Sequence, residues 1–268
     1  MFDFRNSDLV LEAKKSKFDP KPAVLLLIVL ALFYASSYIS AIPLSIFLGI
    51  KMALSMTAGG DLPIDEAGNR GYHDMYEYSW GQFIARMAGV TVYNFSRGGM
   101  SAKEYVESFA EANDFWNKDK ACQAYIFALG VNDLYNFGQD VGTISDICAE
   151  DYTQNAKTFV GYYAQIVQRL KEIQPKAKFF FMTMPREEKD ERIERLGAAH
   201  REALYAMAQY FDNAYVIDLW QYAPVFTNEI KKSFFLGGHM AACGYAVMAK
   251  FVGSYIDYII RANLKDFK

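Results

Sequence analysis

The 268-residue chain has few cysteines, histidines and prolines, and its charges nearly balance. Three Cys without CxxC or metal-ligand spacing exclude a disulfide-stapled miniprotein and a cysteine-based metal site. A net charge of -3 provides no basic surface for nucleic acid, so we expect no nucleic-acid partner. There is no collagen-like repeat and no low-complexity linker. The hydrophobic share of 52% indicates instead a folded chain with a sizeable core.

The hydrophobic residues are unevenly distributed, and residues 22–50 contain no charged side chain. The run from Ala23 to Ile42 has the length of a bilayer-spanning helix, which needs about 20 mostly apolar residues. Four of the five cations among residues 1–21 come shortly before this run, which favours an N-terminus in the cytoplasm. We therefore expect residues 1–43 to be a leader and membrane anchor, and 44–268 to be one domain outside the cytoplasm. A signal peptide, or a buried element of a cytoplasmic protein, is the alternative.

After the apolar run, strand-like and helix-like segments alternate along the chain. Predicted strands cover 44–54, 90–95, 124–129, 178–184 and 214–220, and predicted helices cover 79–88, 153–173, 187–210 and 243–262. This alternation implies right-handed crossovers and a parallel sheet. The continuous apolar run Ala124–Leu129 is typical of a strand covered on both faces. We expect an α/β fold, a three-layer sandwich around a central parallel sheet, with functional side chains at the carboxyl ends of its strands.

Four loops between these elements have polar or glycine-rich sequences: 55–60, 94–101, 130–133 and 235–239. Each has a common structural explanation, because a Ser after a strand is usually a helix cap and a Gly pair is usually a turn. Together, however, they supply a hydroxyl nucleophile, a backbone N–H donor, a side-chain amide donor and an imidazole base. Acyl transfer requires this set of groups.

The loops resemble the ordered blocks of the SGNH hydrolases, also called the GDSL esterase/lipase family. NFSRGGMSAKEY is similar to the second block, Gly130-Val131-Asn132-Asp133 matches the Gly-x-Asn-Asp third block, and GGHMAACGYAVMAK resembles the fifth. The resemblance implies the flavodoxin-like fold of that family, Ser55 as nucleophile and His239 as base. It also implies that Gly99 and Asn132 donate hydrogen bonds to the oxyanion. The implied substrate is a small-molecule or glycan ester, with no cofactor and no metal.

The first block departs from the family pattern. Ala53-Leu54 precedes Ser55, where the family has Gly-Asp before its Ser. In a second register Lys51 occupies the nucleophile position, which would mean an inactive site. We prefer Ser55, because Ser-Met-Thr-Ala-Gly-Gly continues as the first block commonly does.

The triad acid is also missing from its usual place. The family carries Asp three residues before the His, and that position is Leu236, before His239. Without this acid the His loses the group that fixes its tautomer, so we expect a Ser–His dyad. Asp218 is either a substitute acid or, as we prefer, a strand-end cap. The alternative function is an impaired hydrolase-like domain that binds a glycan or lipid without hydrolysis.

The remaining His, Cys and acidic residues have less specific patterns. The polar segment 61–79 contains His73 and lies where a loop could line the pocket, which favours a sugar-like substrate; a solvated loop is the alternative. Its acidic residues lack calcium-loop spacing. We expect His200, within a charged helical stretch, to be solvated. We expect Cys243 to be a helix-packing thiol.

Overall fold

The computed structural model describes residues 52–54, 76–188, 191–236 and 239–267. The expected leader and anchor, including 23–42, lie outside the described residues, as does most of the polar segment 61–79. Among the described residues, no helix combines the length and apolar character needed to cross a membrane. The membrane anchor and the division into 1–43 and 44–268 therefore stay predictions.

Five parallel strands form the central sheet: β1 (Met52–Leu54), β2 (Val92–Asn94), β3 (Ala124–Phe127), β4 (Lys178–Met182) and β5 (Ala214–Ile217). Their order is β2-β1-β3-β4-β5. The predicted parallel sheet is confirmed, and β2 to β5 are shorter than the apolar runs that predicted them. The chain steps from β1 to β2 on one side and then crosses to β3 on the other. Such a reversal opens a crevice at the carboxyl ends of the strands.

Four long helices were predicted and are confirmed to within a few residues: α1 (Trp80–Ala88), α3 (Phe159–Ile173), α4 (Glu191–Tyr210) and α7 (Ala242–Ala262). Three shorter α-helices of the described residues were not predicted: α2 (102–112), α5 (Leu219–Tyr222) and α6 (Asn228–Phe234). Within α2, the π-helical turn Tyr105–Phe109 joins two α-helical pieces. A short antiparallel pair, β6 (Phe235–Leu236) and β7 (His239–Met240), comes just before α7.

Local capping chemistry sets where the predicted helices begin and end. The Ser79 side chain accepts a hydrogen bond from the Gln82 N–H at the start of α1, and Gly89 ends that helix in the left-handed conformation at φ 66°. Thr158 caps α3 in the same way by accepting from the Gly161 N–H. The Thr158 cap explains why α3 begins at Phe159, the first of its periodic apolar residues, and not at Thr153 as predicted.

The apolar residues of β4 show how the sheet is covered on both faces. Phe179 and Phe181 belong to a buried cluster that also contains Tyr163 of α3 and Leu204 of α4. Phe180, between them, points to the other face, since successive strand residues alternate, and its ring stacks on Tyr215. Helices α1 and α7 pack against each other, and α7 also contacts β5. The result is the expected three-layer α/β sandwich.

Candidate active site

The carboxyl end of β1 lies between the ends of β2 and β3. Leu54 is in register with Asn94 of β2 on one side and with Ile126 of β3 on the other. The next residue is Ser55, which lies outside the described residues, so its role as nucleophile stays a prediction. The loops after β2 and β3 therefore border the place where the chain leaves β1.

The loop after β2 presents a free backbone donor. Residues 97–100 form a turn in which the Met100 N–H donates to the Arg97 carbonyl at 3.4 Å. Gly99 occupies the third position of that turn at φ 75°, a conformation that favours glycine. Gly99 is exposed, and within the described residues its N–H donates to no other group. An incoming acceptor can therefore use this N–H.

The loop after β3 carries the second donor. Gly130, at φ 131°, leads into the π-helical turn Val131–Asn136. The Asn132 Nδ2 donates to the Met100 carbonyl at 3.0 Å, and its Oδ1 accepts from Asn136 Nδ2 at 2.7 Å. Because both ends of the amide are bonded, its orientation is fixed, and one Nδ2 hydrogen is left for another acceptor. The structure thus brings Asn132 to the residue next to Gly99.

A buried carboxylate joins the same two loops a second time. Asp133 has no exposed surface, and its Oδ1 accepts from the Ala102 N–H, at the start of α2, at 2.7 Å. Burial raises the pKa of Asp133 to about 6, although hydrogen bonds from backbone N–H groups oppose the rise. Sequence reasoning placed Asp133 in the third block but assigned it no role. Its role here is to hold the third-block turn against the second-block helix.

His200 is buried, so the expectation that it is solvated was wrong. Its side chain has no exposed surface, and burial lowers its pKa to about 4. The ring Nε2 lies 3.0 Å from the Leu129 carbonyl, and Nδ1 lies 3.4 Å from the Met184 N–H. A carbonyl at one nitrogen and an N–H at the other select the neutral tautomer with the proton on Nε2.

The position of His200 explains the glycine that precedes Asn132. A Cβ on Gly130 would lie 2.7 Å from His200 Cδ2 and closer still to Nε2, well inside van der Waals contact. The imidazole thus bridges the ends of β3 and β4 directly beneath the third-block turn. The charged neighbours of His200 along α4 suggested a solvated face, but His200 lies on the face that packs against the sheet.

His239 lies on the exposed strand β7, which pairs with β6, shortly before α7 begins at Ala242. Leu236, which stands where the family carries the triad acid, is the register partner of His239 in this pair. The two residues therefore lie directly opposite each other on neighbouring strands. The pairing of Ser55 with His239 stays a prediction.

Asp218 is a strand-end cap, which confirms the preferred interpretation. Its buried carboxylate accepts from the Gln221 N–H at 3.0 Å at the start of α5. It also accepts from Arg201 Nε at 2.7 Å and from the Tyr205 hydroxyl at 2.9 Å. These partners belong to α4 and α5, so the hydrogen bonds of the carboxylate hold α4 against the end of β5.

The cysteines in the described part of the chain differ in exposure. Cys243 is exposed at the start of α7, so the expectation that it is a packing thiol was wrong, whereas Cys122 is buried. The described residues hold no group of three or more His, Cys, Asp or Glu side chains arranged to bind a metal ion.

Comparisons with known proteins identify a matching family and a shared fold. A model of the GDSL-like lipase/acylhydrolase family matches residues 55–252, which is most of the chain. No curated protein sequence matches. Among solved structures, a Lactobacillus plantarum protein is similar at 17% identity and a TM-score of 0.56, over 78% of this chain and 97% of its own. A family two carbohydrate esterase from Clostridium thermocellum, in complex with cellohexaose, is similar at 14% identity and a TM-score of 0.54. That match covers 81% of this chain and 65% of the esterase chain. At these identities the likeness is one of fold.

Proposed function

Because the chain belongs to the GDSL-like lipase/acylhydrolase family, we propose that it is a serine esterase that cleaves a carboxylic ester. The observation that carries the proposal is the pair of donors at the carboxyl edge of the sheet. Among the described residues the Gly99 N–H has no acceptor, and the Asn132 amide is held in place by the Met100 carbonyl, one residue further along. Two fixed donors at one point are what an oxyanion requires.

The proposed reaction has an acylation and a deacylation half. Ser55 Oγ attacks the ester carbonyl carbon, His239 accepts the hydroxyl proton, and the carbonyl oxygen becomes an oxyanion bound by Gly99 and Asn132. The tetrahedral intermediate then expels the alcohol, which takes the proton back from His239. Water, deprotonated by His239, attacks the acyl-enzyme, and the second tetrahedral intermediate collapses to the carboxylic acid while Ser55 Oγ leaves and takes that proton back from His239. Each oxyanion donor typically lowers the barrier by about 3 to 4 kcal/mol.

For the substrate we propose an acetylated carbohydrate. The acyl-transfer groups alone do not select an alcohol, but the fold is shared with a carbohydrate esterase that was solved with cellohexaose. For the setting we propose a membrane anchor at residues 23–42 with the esterase domain outside the cytoplasm. Protease treatment of intact cells tests this arrangement, because an outward-facing domain is cleaved and a cytoplasmic one is fully protected.

Hydrolysis of 4-nitrophenyl acetate tests the nucleophile. We expect Ser55→Ala to reduce the rate to the uncatalysed background, whereas Ser233→Ala, which removes an exposed hydroxyl on α6, leaves it unchanged. Lys51→Met tests the second register and is expected to keep full activity. Equal rates for wild type and Ser55→Ala would contradict the esterase and favour the impaired binding domain.

A further inference from the structure

A cleft lined mainly by polar and charged residue types opens next to the loops that carry the two proposed oxyanion donors. Its volume is about 510 Å³, within the range of small-molecule sites. It lies between the first turns of α2, residues 137–139 and the amino end of α3. The side chains that line it include Ser101, Lys103, Glu107, Phe137, Gln139 and Lys157.

Both walls of the cleft continue directly from the loops that carry the donors. One wall begins at Ser101, two residues after Gly99. The other begins at Phe137, whose N–H donates to the Asn132 carbonyl at 2.9 Å, and continues to Gln139, whose N–H donates to the Asp133 carbonyl at 2.9 Å. A ligand in the cleft therefore contacts chain segments that continue directly from the loops of the two donors.

The lining combines one exposed aromatic ring with hydrogen-bonding groups of both kinds. Phe137 is 65% exposed. Near it are the Glu107 carboxylate, the Gln139 amide and the exposed ammonium group of Lys157. The Tyr162 hydroxyl donates to Glu107 Oε1 at 2.9 Å, which fixes the orientation of that carboxylate.

A sugar ring has a C–H face that packs on an aromatic ring and an edge of hydroxyls that both donate and accept. The cleft offers a partner for each of these features: Phe137 for the face, Glu107 for donors and Lys157 for acceptors. An alkyl chain would instead leave these polar groups desolvated without partners, which is unfavourable. The chemistry of the lining therefore favours a hydroxyl-rich ligand over a lipid.

We propose that this cleft binds the carbohydrate part of the ester, with one sugar ring stacked on Phe137. The inference rests on the proposed esterase function for its catalytic consequence, but the cleft binds sugar whether or not the ester is cleaved. The cleft thereby sets which alcohol the enzyme accepts, whereas Ser55, Gly99 and Asn132 act on the acyl group.

Phe137→Ala tests the proposal against Tyr258→Ala, since Tyr258 is an equally exposed aromatic residue (66%) on α7, outside this cleft. Two substrates are compared, acetylated cellohexaose and 4-nitrophenyl acetate. We expect Phe137→Ala to lower kcat/KM for the oligosaccharide about tenfold more than for the aryl ester, a loss of about 1.4 kcal/mol. Phe137→Tyr should keep most of the wild-type kcat/KM for the oligosaccharide, because it retains an aromatic ring. Tyr258→Ala should leave kcat/KM unchanged for both substrates.

Calorimetric titration with unmodified cellohexaose separates this proposal from the esterase itself. If wild type hydrolyses neither ester but binds cellohexaose, and Phe137→Ala weakens that binding about tenfold, the esterase fails and the cleft stands. Two results with an active wild type would refute the carbohydrate cleft. One is that Phe137→Ala lowers kcat/KM equally for both substrates. The other is that it lowers only the hydrolysis of a long-chain ester such as 4-nitrophenyl decanoate.

Discussion

Gly130→Ala is the most informative single substitution, because the structure identifies two separate costs at this position. The backbone at φ 131° is one that an L side chain rarely adopts, which costs about 1–3 kcal/mol. The new methyl group would also overlap the His200 ring, and overpacking of this kind costs about 1–3 kcal/mol more. We therefore expect the free energy of unfolding to fall by about 2–6 kcal/mol.

Gly138→Ala is the matched control. Gly138 also has a positive φ, at 61°, but a Cβ there would meet nothing within 4 Å. Only the conformational cost applies, so we expect a loss of about 1–2 kcal/mol. Urea unfolding of the two variants, followed by circular dichroism, gives the two losses directly. Gly130→Ala should lose more than Gly138→Ala, and the excess contains the clash with His200 together with the difference in conformational cost between φ 131° and φ 61°.

A double-variant cycle identifies the cause. If the His200 ring is what the new methyl group meets, then Gly130→Ala costs less in a protein that already carries His200→Ala. Coupling of this kind between contacting residues amounts to about 0.5–3 kcal/mol. Strictly additive losses, or a Gly130→Ala variant as stable as Gly138→Ala, would refute the packing of His200 beneath the third-block turn.

Three further predictions concern catalysis, pH and thiol access. Asn132→Ala should lower kcat for 4-nitrophenyl acetate by a factor of about 10² to 10³ with little change in KM, and an unchanged kcat would remove Asn132 from the oxyanion site. The folded pKa of His200, about 4, lies below its ordinary value of 6.5, so the unfolded chain binds the extra proton and stability is lost as the pH falls from 6.5 towards 4. His200→Gln should remove this loss, on the order of 3 kcal/mol, in urea unfolding at pH 7 and pH 4, and an equal loss in both proteins would contradict the assignment. Cys243 should react with a thiol reagent in the folded protein much faster than Cys122, as peptide mapping after brief labelling would show; similar rates would contradict the described burial.

The sheet and the long helices could be predicted because their signals are local. The run KFFFM at β4 is apolar on both faces, and such a run is expected in a parallel strand buried on both sides. The strand ends were less accurate, because apolar residues continue beyond the last paired residue, as at Leu129 after β3. The helix α2 was not predicted for two reasons. Its Ser101 cap follows directly on a polar turn, so the sequence there was interpreted as one loop, and the π-helical turn Tyr105–Phe109 interrupts the 3.6-residue periodicity of an α-helix.

The candidate site was predictable to the extent that its groups lie in family blocks. The sequence indicated Gly99 and Asn132, and in the structure the Asn132 side chain donates a hydrogen bond to Met100, the residue that follows Gly99. The contributions of Asp133 and His200 could not be predicted, because each depends on which distant backbone groups the fold brings to it. Leu129 is 71 residues from His200 along the chain, and no local pattern encodes that contact.

The central position of β1 has a practical consequence for shortening the chain. Among the described residues β1 is the first strand in sequence, and it lies between β2 and β3, so the sheet is cut in two when it is lost. A truncation that removes residues 1–43 keeps β1. A truncation that continues past Leu54 removes β1, so β2 loses its only pairing partner in the described sheet and the edge of β3 is exposed. Unpaired edges of this kind promote aggregation. An N-terminal truncation made to improve solubility should therefore end before Met52, so that β1 is kept.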